Sequence, residues 1–366
     1  MSPLLSFFRC LCRLVAMVAC AAAWGSVPAA ALTDAAAKSA ATVKLRVVGG
    51  VGNVSQFTQL EAPFWTQELP RLSQGRLSAE IVAFDRAGIP GMQMLQLLQL
   101  GVVPFGTMLM SQVATQYPQY AAPDLAGLNP DMAHLRSSLS AFRPYLEKSL
   151  REEHGIETLA IYIYPAQVLF CKNAFTGLVD LARRRTRVSS SSQADFVSAL
   201  GGLPVRIGFT QMAEALQMGT LDCAITGAAS GNALGLQFLT NYLYTMPLNW
   251  GLAIFGANSA AWKALPPELK ALLRSQLPRL EGRIWQSAER ETAMGVICSS
   301  GAPACTDAKR GRMVVVPISA QDARLRDEIF RSTVLPRWLL RCNADCDVLW
   351  RNTIGPVRGI ALPAAP

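Results

Sequence analysis

The chain has 366 residues, of which 51% are hydrophobic and 16% charged. This composition is typical of compact globular domains and argues against a disordered chain. The formal net charge of +9 is compatible with anionic ligands, membranes or nucleic acid, but no long Lys and Arg run with interleaved aromatic residues is present. Nucleic acid is therefore not an expected partner.

Residues 1–31 have the layout of a secretory signal peptide. Arg9 and Arg13 are the only charges in this stretch, the apolar run behind them is too short to span a bilayer, and small residues lead up to Ala31. We expect cleavage after Ala31 and a periplasmic mature protein. Lipid anchoring at Cys20 is an alternative, since the residues before it resemble a lipobox.

Six of the nine cysteines lie beyond this segment, and in an oxidising compartment cysteines form disulfides. Two pairs close in sequence are expected to form local disulfides or to clamp the C-terminal segment to the body, and the spacing does not decide between these. Two further cysteines are expected to be buried, either free or paired with each other. The first two pairs are Cys298 with Cys305 and Cys342 with Cys346, and the last two residues are Cys171 and Cys223.

Strand and helix patterns alternate from residue 43, which indicates an α/β sheet with short connections. We expect a first α/β lobe at 43–165 and a second at 166–256. The expected strands are Val43–Val48, Leu77–Phe84, Val102–Met110, Thr158–Tyr164, Gln167–Lys172, Arg185–Val188, Val205–Ile207 and Leu221–Thr226.

Residues 257–366 are expected to contain a helix that spans both lobes, followed by a cysteine-containing segment. The helix begins near Pro266 and Pro267, where proline is favoured, and runs to about Met294. Pro278 lies within it and predicts a kink or a break. Two lobes joined by crossing segments predict a cleft at the carboxyl ends of the strands.

Enzymatic motifs are weak, so we expect no catalytic residues, metal or cofactor. Gly50 to Ser55 follows a strand as a dinucleotide-binding turn does, but Ser55 stands where the third glycine belongs. Neither a phosphate-binding loop of the Walker type nor a G-x-S-x-G nucleophile elbow occurs. Two histidines in the whole chain leave little material for Ser-His-Asp or Cys-His catalysis.

Arg187 ends a predicted strand just before a serine-rich loop. A guanidinium group there can bind a carboxylate through two parallel hydrogen bonds. Arg185 falls on the same face of the strand, which would allow the two to act together. From the residues alone, a surface ion pair at Arg187 is an equal alternative.

The stretch 178–256 resembles the solute receptors of tripartite ATP-independent periplasmic (TRAP) transporters. That family has a strand ending in Arg-Val, a polar loop, an "ALGA.PV" segment and an "E.Y.ALQ.G.VDG" segment, in this order. The residues at matching positions are Leu181, Arg187-Val188, Ala199-Leu200-Gly201, Pro204-Val205, Glu214, Ala215-Leu216-Gln217, Gly219 and Leu221-Asp222. The resemblance extends more weakly across the rest of the mature chain.

The resemblance implies that Arg187 forms a salt bridge with a ligand carboxylate. Gln167 stands where a second arginine is often found, and Thr226 stands where an asparagine is usual, so a monocarboxylate fits better than a dicarboxylate or sugar acid. Asn249 and Trp250 correspond to another ligand-facing segment, although core packing of Trp250 is an equal alternative. By position at strand ends, Asn53 and Phe105 are the candidates from the first lobe.

Together these features predict a two-lobe α/β periplasmic binding protein fold, type II-like, with a long helix spanning both lobes. The expected function is capture of a small organic acid by cleft closure and its delivery to the membrane subunits of a TRAP transporter. One alternative is a ligand-sensing protein of the same fold that feeds a periplasmic signalling partner. A periplasmic enzyme is the less favoured alternative.

Overall fold

The computed structural model describes residues 42–306, 309–342 and 345–362. The expected signal peptide at 1–31, with its alternative anchor at Cys20, lies outside the described residues. None of the described helices combines the length and apolar character that crossing a membrane requires.

A five-stranded sheet has the order β2-β1-β3-β10-β4. Its first three strands along the chain are parallel, whereas β10 runs antiparallel to both β3 and β4. The strands are β1 (Val43–Val48), β2 (Leu77–Val82), β3 (Phe105–Leu109), β4 (Ile156–Ile163) and β10 (Leu252–Asn258).

A six-stranded sheet has the order β11-β9-β5-β8-β6-β7. Strands β8, β6 and β7 are mutually parallel, and β5 is antiparallel to its neighbours β8 and β9. The strands are β5 (Gln167–Cys171), β6 (Arg185–Val188), β7 (Leu203–Arg206), β8 (Cys223–Gly227), β9 (Tyr242–Asn249) and β11 (Val314–Val316).

Helices cover both sheets. The α-helices are α1 (Leu69–Leu72), α2 (Met94–Gln99), α3 (Met110–Val113), α4 (Met132–His154), α5 (Ser191–Ala199), α6 (Met212–Gln217), α7 (Ala228–Ala233), α8 (Ser259–Ala264), α9 (Pro267–Ser300), α10 (Ala320–Ile329), α11 (Leu335–Arg341), α12 (Asp345–Asn352) and α13 (Ile354–Arg358). Short π-helical segments are Gln56–Glu61, Phe64–Glu68 and Phe330–Val334, and 3₁₀ segments are Phe84–Arg86, Gly91–Gln93, Pro118–Asp124, Leu178–Leu181 and Leu236–Phe238.

Helix α9 contacts both sheets, as the sequence predicts. It packs on β4 of the five-stranded sheet and on β9 and α7 of the six-stranded side. Trp285 anchors it by donating its indole N–H to the carbonyl oxygen of Ile161 at 2.8 Å. Of the kink or break expected at Pro278, the break is wrong, because the helix continues through this residue. Buried leucines on both sides of the proline, Leu277 and Leu280 among them, hold the helix by packing.

The two sheets confirm the predicted two-lobe α/β architecture. The finer boundaries at 43–165 and 166–256 remain a proposal, and the topology suggests one adjustment. Strand β10 follows the second lobe in sequence but pairs within the five-stranded sheet. We therefore propose that the second lobe ends before Leu252.

Three disulfides occur among the described residues. Cys171 and Cys223 face each other on the neighbouring strands β5 and β8 and are bonded. The other two are local, joining Cys298 to Cys305 after α9 and Cys342 to Cys346 after α11. The structure thus selects local bridges over clamps for the C-terminal pairs.

Candidate functional site

A cavity of about 390 Å³ lies between the ends of strands from both sheets. The five-stranded side contributes Val51 after β1 and Leu109 at the end of β3. The six-stranded side contributes Arg187 at the end of β6 and Thr226 near the end of β8. Most of these positions are carboxyl ends of strands, where α/β sheets bind ligands.

Arg187 lines this cavity, yet only 5% of its surface is exposed. Its Nε donates to the carbonyl oxygen of Ile207 at 3.2 Å, and Nη1 donates to that of Ile225 at 2.7 Å. Among the described residues it has no carboxylate partner. Burial accordingly lowers the pKa of Arg187 to about 10. The side chain is a buried cation with donor capacity left over.

Arg185 does not join Arg187 at the cavity. Its guanidinium group pairs with Asp222, with 3.0 Å from Nε to Oδ2 and 2.7 Å from Nη2 to Oδ1. The pair holds the pKa of the Asp222 carboxyl below its usual range. Since Arg185 sits at the amino end of β6 and already has a counter-ion, the two arginines do not form a joint site.

Gln167 and Thr226 also line the cavity. Gln167 begins β5 and Thr226 lies on β8, and these strands are antiparallel neighbours. The Oε1 of Gln167 accepts a hydrogen bond from Nε2 of Gln193 at 2.7 Å. Both side chains offer neutral hydrogen-bonding groups beside Arg187.

Asn249 and Trp250 lie behind the cavity wall and do not line it. Asn249 is 3% exposed, and its Nδ2 donates to Oδ2 of Asp124 at 3.1 Å. Trp250 belongs to a hydrophobic core, and its indole N–H donates to the carbonyl oxygen of Asn129 at 3.4 Å. The geometry therefore favours core packing for Trp250.

Asn53 and Phe105 are also away from the cavity lining. Asn53 is exposed, and its Oδ1 accepts from Nη2 of Arg86 at 2.9 Å. Phe105 is buried in a hydrophobic cluster that also contains Trp65. It is the first residue of β3, whereas the cavity is lined by Leu109 at the carboxyl end of that strand.

Tyr164 and Arg206 are among the polar residues that line the cavity and were not predicted from the sequence. Tyr164 follows β4, and its hydroxyl oxygen accepts from the backbone N–H of Val51 at 3.3 Å. Arg206 ends β7, and its Nη2 donates to the Thr115 hydroxyl at 2.9 Å, so it links the two sides of the cavity mouth. Arg206 falls inside the predicted strand Val205–Ile207, whereas β7 ends at this residue, so the predicted bounds do not place it at a strand end.

Two buried carboxyl groups stand close to the site. Glu61 accepts from the backbone N–H of Gly50 and from Nε2 of Gln56, both at 2.9 Å, and burial raises its pKa to about 7. Asp124 accepts from the backbone N–H groups of Trp250 and Gly251, and burial raises its pKa to about 6.

A family comparison matches residues 49–294 to the model for bacterial extracellular solute-binding protein, family 7 (DctP). This range is more than half of the chain and contains all of the cavity-lining strand ends. The comparison with curated proteins gave no match.

Solved structures of similar fold include three with bound acids. DctP7 of Bordetella pertussis, an extracytoplasmic solute receptor binding pyroglutamic acid, is 21% identical with a TM-score of 0.75, covering 85% of this chain and 99% of that one. A TRAP periplasmic solute-binding protein of Desulfovibrio salexigens with bound orotic acid and one of Rhodoferax ferrireducens with bound malonate are each 16% identical with a TM-score of 0.75. Each covers 86% of this chain and 98% of its own. At these identities the similarity establishes the fold.

Proposed function

Because the chain belongs to the bacterial extracellular solute-binding protein family 7, we propose that it is the periplasmic receptor of a TRAP transporter and binds a small organic monocarboxylate through Arg187. Its partners are then the ligand and the membrane subunits of that transporter. No catalytic step is required of it.

The observation that carries the proposal is the guanidinium group of Arg187 at the cavity wall, for which the described residues supply no carboxylate. Its two protein partners are backbone carbonyl oxygens, which do not neutralise its charge. A buried charge without a counter-ion costs several kcal/mol. A ligand carboxylate would supply that counter-ion and accept from the guanidinium donors that remain.

The rest of the cavity supports a single carboxylate on a partly apolar body. Gln167 and Thr226 are neutral, and Val51, Leu109 and Phe209 add apolar wall. Among the described residues Arg206 is the other cation that lines the cavity, but it is exposed and already donates to Thr115. The pyroglutamic acid named for the Bordetella receptor is a ligand of the proposed kind.

Contacts from both sheets to one cavity suggest how binding is coupled to delivery. A ligand that touches both sides binds the closed state of the cleft more tightly than the open state. This difference in affinity sets how far binding shifts the protein toward the closed state. The closed receptor is then the form that docks on the membrane subunits. Arg206 and Thr115, which bridge the mouth, would be among the contacts made on closure.

Thermal unfolding of the purified protein against matched acids tests the proposal. Pyroglutamate, orotate, malonate and a panel of aliphatic and aromatic monocarboxylates are each compared with the corresponding amide. An acid at 100 times its dissociation constant should add about 2.7 kcal/mol of stability, and its amide should add almost none. If no acid raises the unfolding temperature, or if the amides raise it equally, the proposed function is wrong.

A further inference from the structure

A chain of polar side chains runs from the cavity wall into the interior. Gln193, in the first turn of α5, has no exposed surface. Its Nε2 donates to Oε1 of Gln167 at 2.7 Å and to Oδ1 of Asn249 at 2.6 Å. Asn249 in turn donates from Nδ2 to Asp124 at 3.1 Å. Three amides and one carboxylate are thus connected in sequence.

The carboxylate of Asp124, at the inner end, determines which group donates and which accepts in each of these hydrogen bonds. At neutral pH Asp124 is ionised, since its pKa is raised only to about 6, and an ionised carboxylate only accepts hydrogen bonds. Asn249 must therefore turn its Nδ2 toward Asp124. Its Oδ1 then faces Gln193, which has to supply a donor.

A backbone group fixes the same direction at α5. The N–H of Ser189 can only donate, and it lies 2.7 Å from Oε1 of Gln193. With that oxygen committed, Nε2 of Gln193 is left to face Gln167 and Asn249. The two constraints are independent and agree, so the orientation of the Gln193 amide is determined by its surroundings.

The consequence reaches the cavity through Gln167. Its Oε1 is occupied by Gln193, so its Nε2 is turned to the opposite side. The Nε2 atom of Gln167 lies beside Gly251, which lines the cavity. A Cβ atom added to Gly251 would be 2.7 Å from this nitrogen. No described residue accepts a hydrogen bond from this nitrogen. Gln167 therefore presents donors, as Arg187 does.

We propose that Gln193 is a positioning residue that fixes Gln167 as a hydrogen-bond donor, so that the site selects carboxylates carrying a second acceptor such as a ring carbonyl, keto or hydroxyl oxygen. The specificity part rests on the proposed function, because it takes the carboxylate to be bound at Arg187. The orientation of the Gln167 amide does not depend on any ligand.

Side-chain amide exchange in the ligand-free protein tests the orientation. Nitrogen-15 NMR spectra of the whole mature protein would be recorded after transfer to heavy water, with the Gln167→Met and Gln193→Met variants identifying the two NH₂ signals. Both protons of Gln193 are hydrogen-bonded, so they should exchange at least tenfold more slowly than those of Gln167. Slow exchange at Gln167 together with fast exchange at Gln193 would overturn the proposal. If Gln193→Met does not fold, Gln167→Met still assigns the Gln167 signal, and slow exchange of that NH₂ group would by itself contradict the proposal.

Titration calorimetry with two acids tests the specificity. Pyroglutamate and cyclopentanecarboxylate have similar ring size, but only the first carries a ring carbonyl. The wild type should prefer pyroglutamate about tenfold, which is what one hydrogen bond of about 1.4 kcal/mol gives. Gln193→Met should reduce this ratio nearly as far as Gln167→Met does, and the double variant should reduce it no further.

A purely structural role for Gln193 predicts a different pattern. Gln193→Met would then weaken the binding of both acids equally and leave the ratio of the two affinities unchanged. This result would contradict the proposal. The exposed Gln217→Met on α6 makes the same chemical change away from the cavity and should leave both affinities unchanged. If neither acid binds the wild type, the proposed function has failed for this ligand class, while amide exchange still decides the role of Gln193.

Discussion

Glu61 has no exposed surface and is hydrogen-bonded to Gly50, the residue before Val51 of the cavity wall. It accepts two hydrogen bonds, from Gly50 and from Gln56, and both favour its charged form. Burial outweighs them and raises the pKa from its ordinary value of 4.5 to about 7. At neutral pH part of the population therefore carries a buried negative charge.

The raised pKa of Glu61 determines how the stability of the protein changes with pH. A carboxyl whose pKa is higher in the folded state binds its proton more tightly there, so its contribution to the free energy of unfolding rises as pH falls from about 8 toward 5 and is lost above pH 7. Glu61→Gln should remove that dependence. Above pH 8 the variant should be the more stable protein by about 3 kcal/mol, the free energy of the shift.

The hydrogen bonds of the site allow this substitution. The Oε1 of Gln56 has no partner among the described residues, so a rotated Gln56 amide can accept from the new NH₂ group. Urea unfolding of both proteins from pH 5 to 8.5 measures the difference between their free energies of unfolding. Other titrating groups, such as Asp124, contribute equally to both proteins and cancel in this difference. A difference that stays constant over this range would contradict the pKa assigned to Glu61.

Polar chemistry combined with strand position places three of the predicted residues at the cavity, while their binding of a ligand stays a prediction. Arg187, Gln167 and Thr226 all line the cavity, as expected for polar residues at the ends of predicted strands. Asn249 and Phe105 do not: Asn249 ends β9 but is buried against Asp124, and Phe105 is at the amino end of β3. Gln193 went unnoticed, since a glutamine in a first helical turn has no signature until its partners are known.

At the scale of elements, helix α9 crosses α7 at a very short distance. A Cβ built on Gly295 would lie 2.3 Å from the backbone carbon of Ala228 and 2.3 Å from the backbone nitrogen of Ala229. Backbone atoms cannot move aside as a flexible side chain can. The glycine is thus what permits the long helix to pack on the six-stranded side.

Gly295→Ala should therefore destabilise the protein by about 1–3 kcal/mol, the usual cost of overpacking. Gly282 lies in the same helix with nothing within 4 Å of its Cβ position, and Gly282→Ala should stabilise by about 1 kcal/mol through helix propensity. Urea unfolding of both variants measures the contrast. Equal effects at the two positions would show that α9 does not approach α7 as closely as described.

Elements with strong periodicity were predicted well, and long-range connections less so. The bounds of β1 and β6 match the predicted strands, and the lobe-spanning helix is present. The return of β10 to the five-stranded sheet was not foreseen, because strand pairing depends on tertiary contacts rather than on local pattern. The continuous helix at Pro278 also depends on tertiary contacts, because packing on both sides of the proline compensates for one lost hydrogen bond.

At the scale of the whole molecule, the cavity combines a donor-rich wall with groups from the other sheet. Arg187 and Gln167 come from the six-stranded sheet, whereas Tyr164 and Val51 come from the five-stranded side. A ligand bound between them joins the two sides, and Arg206 joins them directly through Thr115. The proposed capture and closure use this arrangement, and both depend on the pairing of Arg187 with the ligand carboxylate.

The most direct measurement is calorimetric titration of the best-binding acid into the wild type, Arg187→Met and Arg185→Met. Arg187→Met should weaken binding by about 100-fold, since losing one partner of a buried charge pair costs 2–5 kcal/mol. Arg185→Met removes an arginine from the same strand but not from the cavity, and should leave affinity within about threefold. Near-wild-type affinity of Arg187→Met would contradict the account.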